Sequence, residues 1–349
     1  MSENRLLRRP IFDAGPHSRP KRKSARYPSR NVQSPATTQD LTGSAAASRL
    51  REWMMDYAEL FKARVTLLVV ITGAAGFYLG SLRSGISPFN MGLLNTLGGM
   101  AVVTAGSAAL NEALERRSDA QMRRTSRRPM ATGRIGLLHG LLLGFAAVFF
   151  GSMFLAHETN LLTGTLTLIT AVGYVGIYTP LKRMTTLATF IGAFPGALPP
   201  LIGWTASRGM IEWPAVALFA VLFVWQFPHF MAIAWMYRED YANAGIKMTP
   251  VVSPNGLTTV AQSLFYAVLM IPVSLWTTWL GVTGIPYAIA ATILSLGYLW
   301  YTVRFARILK ETNPLKSRAY ARDLLKASVI YLPLLLLAMM LNAQGRIFF

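Results

Sequence analysis

Asn111, Glu115 and Asp119 recur every four residues in the stretch Asn111-Glu112-Ala113-Leu114-Glu115-Arg116-Arg117-Ser118-Asp119. On a helix advancing about 100° per residue, these three oxygen-bearing side chains fall within about 80° of one another, stacked over about 12 Å. Carboxylate and amide oxygens are the donors that a hard Mg2+ ion takes, and that ion commonly completes its shell with waters and substrate phosphate. Arginines follow within one to two turns, at Arg123, Arg124 and Arg128, where planar guanidinium forks can grip phosphate oxygens two at a time. The chemistry this pattern suits is the handling of a metal-bridged diphosphate. The plain alternative is surface pairing of Glu115 and Asp119 with nearby arginines, and for Arg116 and Arg117 a topology-marking charge is the better reading.

Two further stretches carry ionisable groups. Tyr178-Thr179-Pro180-Leu181-Lys182-Arg183 reads as a tight turn in which Lys182 offers a point charge to a diphosphate, or equally a lysine snorkelling to a membrane surface. Trp225-Gln226-Phe227-Pro228-His229-Phe230 sets His229 inside an apolar run. An ionisable histidine at membrane depth is a functional candidate, against the alternative of a neutral ring satisfied by a helix–helix hydrogen bond. Glu239 and Asp240 follow as a second acidic site, with Tyr241 beside them. The aromatic residues Tyr178, Phe194, Trp204, Trp225, Phe227, Phe230 and Trp235 can line an apolar groove and steady a carbocation through their π faces, or serve as ordinary packing.

The elements that must position these groups are apolar runs. Hydrophobic residues make up 53% of the 349 and charged residues only 14%. Runs of about 20 apolar residues match a hydrocarbon thickness of about 30 Å as helices. Nine occur, at about residues 65–83, 90–110, 135–156, 160–178, 187–206, 213–235, 259–280, 283–303 and 324–343. The fold class is therefore all-α, a polytopic membrane bundle of nine transmembrane helices. The run at 187–206 contains Pro195, Pro199 and Pro200, which predict a kink inside the bundle. Two regions follow: a disordered basic cytoplasmic tail at residues 1–48, and a transmembrane domain at 49–349. A short interfacial helix over Glu52–Lys62 leads into the first span. The tail shares its Arg- and Ser-richness with transit peptides, but Asp13 and its scattered prolines fit a bacterial extension better.

The net charge of +19 invites a nucleic-acid partner until its placement is examined. With the N-terminus cytoplasmic, the inside segments hold 31 of the 34 Lys and Arg residues, leaving Arg83, Arg208 and Arg346 outside. That asymmetry is the positive-inside pattern, and it gives no support to nucleic-acid binding. The absence of cysteine excludes disulfides, thiolate metal sites and a Cys-x-x-Cys-His haem attachment.

At Asn111-x3-Glu115-x3-Asp119-x3-Arg123-Arg124-Thr125-x2-Arg128-Pro129, and again at Tyr178-Thr179-Pro180-Leu181-Lys182-Arg183, the chain resembles the UbiA superfamily of intramembrane prenyltransferases. Trp225-Gln226-Phe227-Pro228-His229-Phe230 and Asp240-Tyr241-x2-Ala244-Gly245-Ile246-x-Met248 resemble its haem-farnesylating branch. The resemblance covers about residues 52–343. It departs from the general pattern where Glu115 replaces an aspartate of the quinone-type members and where the second acidic motif is reduced to Glu239–Asp240.

The resemblance implies a multi-pass protein of a bacterial inner membrane with its active site on the cytoplasmic face. Farnesyl diphosphate ionises at C1, the vinyl group of haem B attacks, and water captures the resulting cation to give haem O. Asn111, Glu115 and Asp119 are implied to hold Mg2+, while Arg123, Arg124, Arg128 and Lys182 grip the diphosphate. Glu239 and Asp240 are implied as a second metal site, with Asp240 alternatively serving the water, and the role of His229 stays open between haem iron, a propionate and the water. A haem A synthase or terminal oxidase assembly pathway is the implied downstream partner. The competing readings are a UbiA-type enzyme with an aromatic quinone-precursor acceptor and a membrane transporter. A transporter typically shows repeats with helices interrupted at mid-membrane, whereas here the charges cluster at one face.

Overall fold

The computed structural model describes residues 38–344. The expectations for residues 1–37 and for Arg346 lie outside them. Fourteen α-helical segments follow one another: α1 (Thr38–Leu60), α2 (Ala63–Arg83), α3 (Met91–Asp119), α4 (Leu137–Glu158), α5 (Leu161–Val172), α6 (Thr179–Leu181), α7 (Ala188–Ala197), α8 (Pro199–Arg208), α9 (Trp213–Met236), α10 (Arg238–Asn243), α11 (Thr249–Val252), α12 (Leu257–Trp279), α13 (Ile285–Phe305) and α14 (Pro314–Leu341). A wide π turn over Gly173–Tyr178 joins α5 to α6, and a 3-10 turn over Ala306–Leu309 extends α13. Among the described residues there is no strand, only an isolated bridge between Thr283 and Ala343.

Among the described residues eight stretches are long and apolar enough to cross a membrane: α2, α3, α4, α5 through α6, α9, α12, α13 with its 3-10 turn, and α14. The ninth expected run, 187–206, is the pair α7 and α8, each of ten residues. The chain breaks at Leu198 because Pro199 and Pro200 bring no N–H to the helical ladder. The kink read from the prolines is thus an interruption, and the nine runs become eight long helices and one broken pair. α1 begins at Thr38, inside the segment assigned to the tail and well before Glu52. Ala45, Ala46 and Ala47 are strong helix formers in that stretch. α3 runs past the expected end at 110 to Asp119, so the whole Asn111–Glu115–Asp119 ladder rides on its last turns.

From Arg49 onward the described residues form one compact unit. Within it α3 packs on α4, α2 on α8, α9 on α12, and α13 on α14. The α2–α8 contact is set by glycine: a Cβ on Gly203 would overlap the Gly73 carbonyl oxygen, and one on Gly76 would overlap that of Pro200. Small residues that let backbones approach are the usual means of packing helices where lipid removes the hydrophobic drive. The core centres on the fully buried Trp204, Tyr287, Tyr298 and Phe305. Phe145, Phe149 and Phe150 of α4 and Trp300 of α13 instead face outward, as a lipid-facing surface requires.

Candidate active site

α3 ends where three other segments converge. Asn111 is fully buried, and its amide oxygen accepts a 2.6 Å hydrogen bond from Lys62 Nζ. Its amide nitrogen donates to Glu115 Oε2 (3.0 Å) and to Thr179 Oγ1 (3.1 Å). One turn on, Glu115 Oε1 accepts from Lys182 Nζ at 2.9 Å. One turn further, Asp119 Oδ2 accepts from Arg128 Nη1 at 2.7 Å, while Asp119 Oδ1 is buried with no partner. The four-residue spacing has therefore placed the three groups on one helical face, and each faces a cation from a different segment.

The cations are delivered by local backbone features. Lys62 stands between α1 and α2 at φ 45°, the one non-glycine with positive φ among the described residues. That left-handed turn lets the chain reverse while its ammonium reaches Asn111 and, at 3.4 Å, the Tyr174 hydroxyl. Lys182 follows the π turn and α6, and its Nζ lies 4.4 Å from the Tyr178 ring centroid. Burial works against the Lys182 charge, but the Tyr178 and Glu115 oxygens outweigh it, so its pKa is raised and the ammonium stays protonated. Arg128 comes from the loop after α3, which is anchored where Met130 N–H donates to the buried Glu112 Oε1 at 3.0 Å.

The three loops at this end are tied to one another. The Lys247 N–H donates to the Lys182 carbonyl at 2.8 Å, and Arg183 Nη2 donates to Ser118 Oγ at 2.8 Å. Ala244, Ile246 and Met248 pack on Met122 and Tyr241, with Gly245 at φ 67° making the intervening turn. The Ala244-Gly245-Ile246-x-Met248 stretch therefore serves as a clasp between the loops.

Beneath them lies a cavity of about 550 Å³. Lys62, Asn111, Glu115, Asp119, Arg124, Arg128 and Lys182 line its polar end; Val69, Met100, Ile202, Leu222 and Leu336 line its apolar depth. Arg124 Nη2 also donates to the Tyr241 hydroxyl at 3.3 Å. His229 lines the cavity from α9, with its Nδ1 2.8 Å from Ser328 Oγ and its ring stacked on Trp225.

Other residues singled out from sequence are not brought in. Arg123 is exposed and does not line the cavity. Glu239 points outward to an ion pair with Arg318 at 3.0 Å. Asp240 does not line the cavity, and its carboxylate has no hydrogen-bond or ion-pair partner among the described residues. From α10 it is Tyr241 that reaches the cavity, because successive helical residues point about 100° apart. Of the aromatic set, Tyr178, Trp225 and Phe230 line the cavity; Phe194, Trp204, Phe227 and Trp235 pack elsewhere. Lys62 and Tyr174 also line the cavity, and no motif in the chain marks them. Lys62 was one more basic residue before a span, and its left-handed turn leaves no mark in residue type.

The oxygen set fits a hard divalent cation. It offers an unpartnered buried carboxylate oxygen on Asp119, with two carboxylates and an amide on one face. Among the described residues no group of three or more His, Cys, Asp or Glu forms a closed metal cage. Such an ion would have to complete its shell with substrate oxygens and water.

Residues 68–341 match the model of the UbiA prenyltransferase family. The protoheme IX farnesyltransferase of Koribacter versatilis (strain Ellin345) is 48% identical over 290 residues, covering 83% of this chain and 93% of that protein. Among solved structures, one described as digeranylgeranylglyceryl phosphate synthase superposes with a TM-score of 0.67 at 19% identity, covering 83% of this chain and 98% of that one. A UbiA homologue from Archaeoglobus fulgidus, bound to DMAPP and Mg2+, superposes with a TM-score of 0.56 at 16% identity, covering 80% and 99%. At those identities the superpositions speak for the fold alone. The family match over most of the chain, the 48% identical relative and the shared bundle agree, and the chain belongs to the UbiA prenyltransferase family.

Proposed function

We propose that this protein transfers the farnesyl group of farnesyl diphosphate to a vinyl group of haem B, forming haem O and releasing diphosphate. The observation that carries this reading is the single cavity that joins a cation-rich, carboxylate-bearing end to an apolar depth containing His229. The relative at 48% identity, named protoheme IX farnesyltransferase, supports haem as the acceptor.

The polar end meets the requirements of a leaving diphosphate. Lys62, Arg124, Arg128 and Lys182 surround the position its oxygens would take, in a site where low dielectric strengthens each charge. Asn111, Glu115 and Asp119 would hold Mg2+, in keeping with the Mg2+ named with the Archaeoglobus homologue. When bound, the ion adds Lewis-acid stabilisation of the departing diphosphate. The farnesyl C1–O bond breaks with its electron pair going to diphosphate. The vinyl π electrons of haem B then form the new C–C bond to C1. The cation left beside the porphyrin takes up water, which loses a proton to become the hydroxyl of the product. Tyr178, Trp225 and Phe230 offer π faces to the cationic stages. The apolar depth seats the isoprenoid chain and limits water to the molecule that is consumed.

The basic segments lie at this same end, including Lys62, the arginines after α3, Lys182 and Lys247. By the positive-inside rule this supports a cytoplasmic face for the site, with the N-terminus inside. The test is to incubate membranes containing the protein with haem B, farnesyl diphosphate and Mg2+ and to follow haem O by mass. Mg2+-dependent haem O is the expected result; no haem O from the wild-type protein refutes the assignment.

A further inference from the structure

His229 reaches the cavity with its two ring nitrogens in unequal positions. Nδ1 is 2.8 Å from Ser328 Oγ on α14. The same Ser328 hydroxyl lies 2.6 Å from the Leu325 carbonyl oxygen, and Ser328 is fully buried. A serine hydroxyl carries one hydrogen, and a carbonyl oxygen can only accept. With that hydrogen directed to Leu325, the oxygen turns a lone pair to the imidazole, and the contact is satisfied only if Nδ1 carries the proton. Were Nδ1 bare and taking that hydrogen, the Ser328 hydroxyl oxygen and the Leu325 carbonyl oxygen would face each other at 2.6 Å with no hydrogen between them, a repulsive contact of two lone-pair-bearing atoms.

The rest of the surroundings fix the ring without touching this balance. Trp225, one turn earlier on α9, stacks on it with centroids 4.7 Å apart and planes at 28°. The Trp225 indole donates to the Ser328 carbonyl at 2.9 Å, and its own carbonyl accepts from the Tyr298 hydroxyl at 3.1 Å. Phe230 meets the ring edge-on at 5.5 Å between centroids. Orientation thus comes from Trp225 and Phe230, and proton placement from Ser328.

We propose that Ser328 is a positioning residue that holds His229 as the Nδ1–H tautomer, so that Nε2 presents a bare lone pair to the cavity, where it takes the iron of the porphyrin substrate. The iron half of this rests on the function proposed above; the tautomer half does not. A hydrogen bond from the other ring nitrogen commonly sets which nitrogen of a histidine is free to bind a metal.

The first measurement is 15N NMR of histidine-labelled, full-length, haem-free protein in nanodiscs, with the His229 signals assigned by their loss in His229→Gln. The wild type is expected to show a protonated Nδ1 and a bare Nε2. A protonated Nε2 overturns the proposal whatever the enzyme does. In Ser328→Ala the Nδ1–H population falls relative to the Nε2–H form by about tenfold, the scale of one lost hydrogen bond, and Ser328→Thr restores it. An unchanged tautomer ratio in Ser328→Ala overturns the role of Ser328. The second measurement compares haem B with metal-free protoporphyrin IX. Ser328→Ala is expected to weaken haem B binding and to alter its Soret band, while protoporphyrin IX binding stays at the wild-type level. Equal losses for the two porphyrins overturn iron ligation. Failure of wild-type protein to make haem O refutes the function alone, because the tautomer is read without substrate.

Discussion

The two ends of α2, about 31 Å apart for a helix of 21 residues, use the same ingredients to opposite effect. At the far end Arg208 spends every nitrogen: Nε and Nη2 donate to the two oxygens of Glu212, and Nη1 donates to Ser84 Oγ. The Trp204 indole completes Glu212 at 2.9 Å, so both carboxylate oxygens are taken by donors of the fold. At the near end Lys62, Lys182 and Arg128 also face acceptors, yet one oxygen of Asp119 is buried with no partner and a cavity opens beside the cluster. The Arg208–Glu212 pair itself is satisfied within the fold, though at that end Arg83 Nη1 is left buried without a partner. Cations held against an incompletely satisfied ladder leave affinity for something the fold does not supply.

The sharpest way to break this contrast is at Asp119. Asp119→Asn keeps the shape and removes the charge, and haem O formation is expected to fall about 10²- to 10³-fold, read by product mass. Full turnover would mean that the unpartnered oxygen has no part in the chemistry. Lys182→Ala comes next. It leaves the half-buried Glu115 with Asn111 but no cation in contact, which costs up to about 3 kcal/mol of stability, seen as a lower Tm in detergent, and raises KM for farnesyl diphosphate. Gly203→Ala probes the packing that holds both ends of α2 in place. The added methyl must push the Gly73 backbone aside, at about 1–3 kcal/mol, with turnover per folded molecule unchanged.

The smallest effect belongs to the closed end. The Arg208 hydrogen bond holds the Glu212 carboxyl below its ordinary value of 4.5, against burial, which raises it. A group depressed in this way stabilises the fold above its ordinary pKa and loses that contribution as pH falls through the folded value. The Tm gap between wild type and Glu212→Gln is therefore expected to be constant near neutral pH and to close below about pH 4.5. A gap that persists in acid would show that the far end is held by packing and not by charge.

How much of this was legible in the chain depends on the range of the interaction. The apolar runs and the ladder of Asn111, Glu115 and Asp119 are local periodicities and each is present in the structure, while the kink expected from the prolines at 195, 199 and 200 is there as a full interruption. Glu239 and Asp240 were conspicuous as adjacent acids on the basic side, but adjacency along a helix separates directions. Glu239 turned to Arg318, and Tyr241 took the face toward the cavity. Arg123 and Arg124 illustrate the same point, since both are exposed but only Arg124 lines the site.

The sequence by itself determined that this is a helical membrane chain with three oxygen-bearing side chains on one helical face beside its basic loops. Hydrophobic length and helical period need no knowledge of the rest of the molecule. Only the tertiary structure decided which cation meets which oxygen. Lys62 reaches Asn111 from 49 residues away and Lys182 reaches Glu115 from 67, while His229 meets Ser328 from 99. Those pairings arise from helices packed side by side, and residue order sets no limit on which of their faces touch.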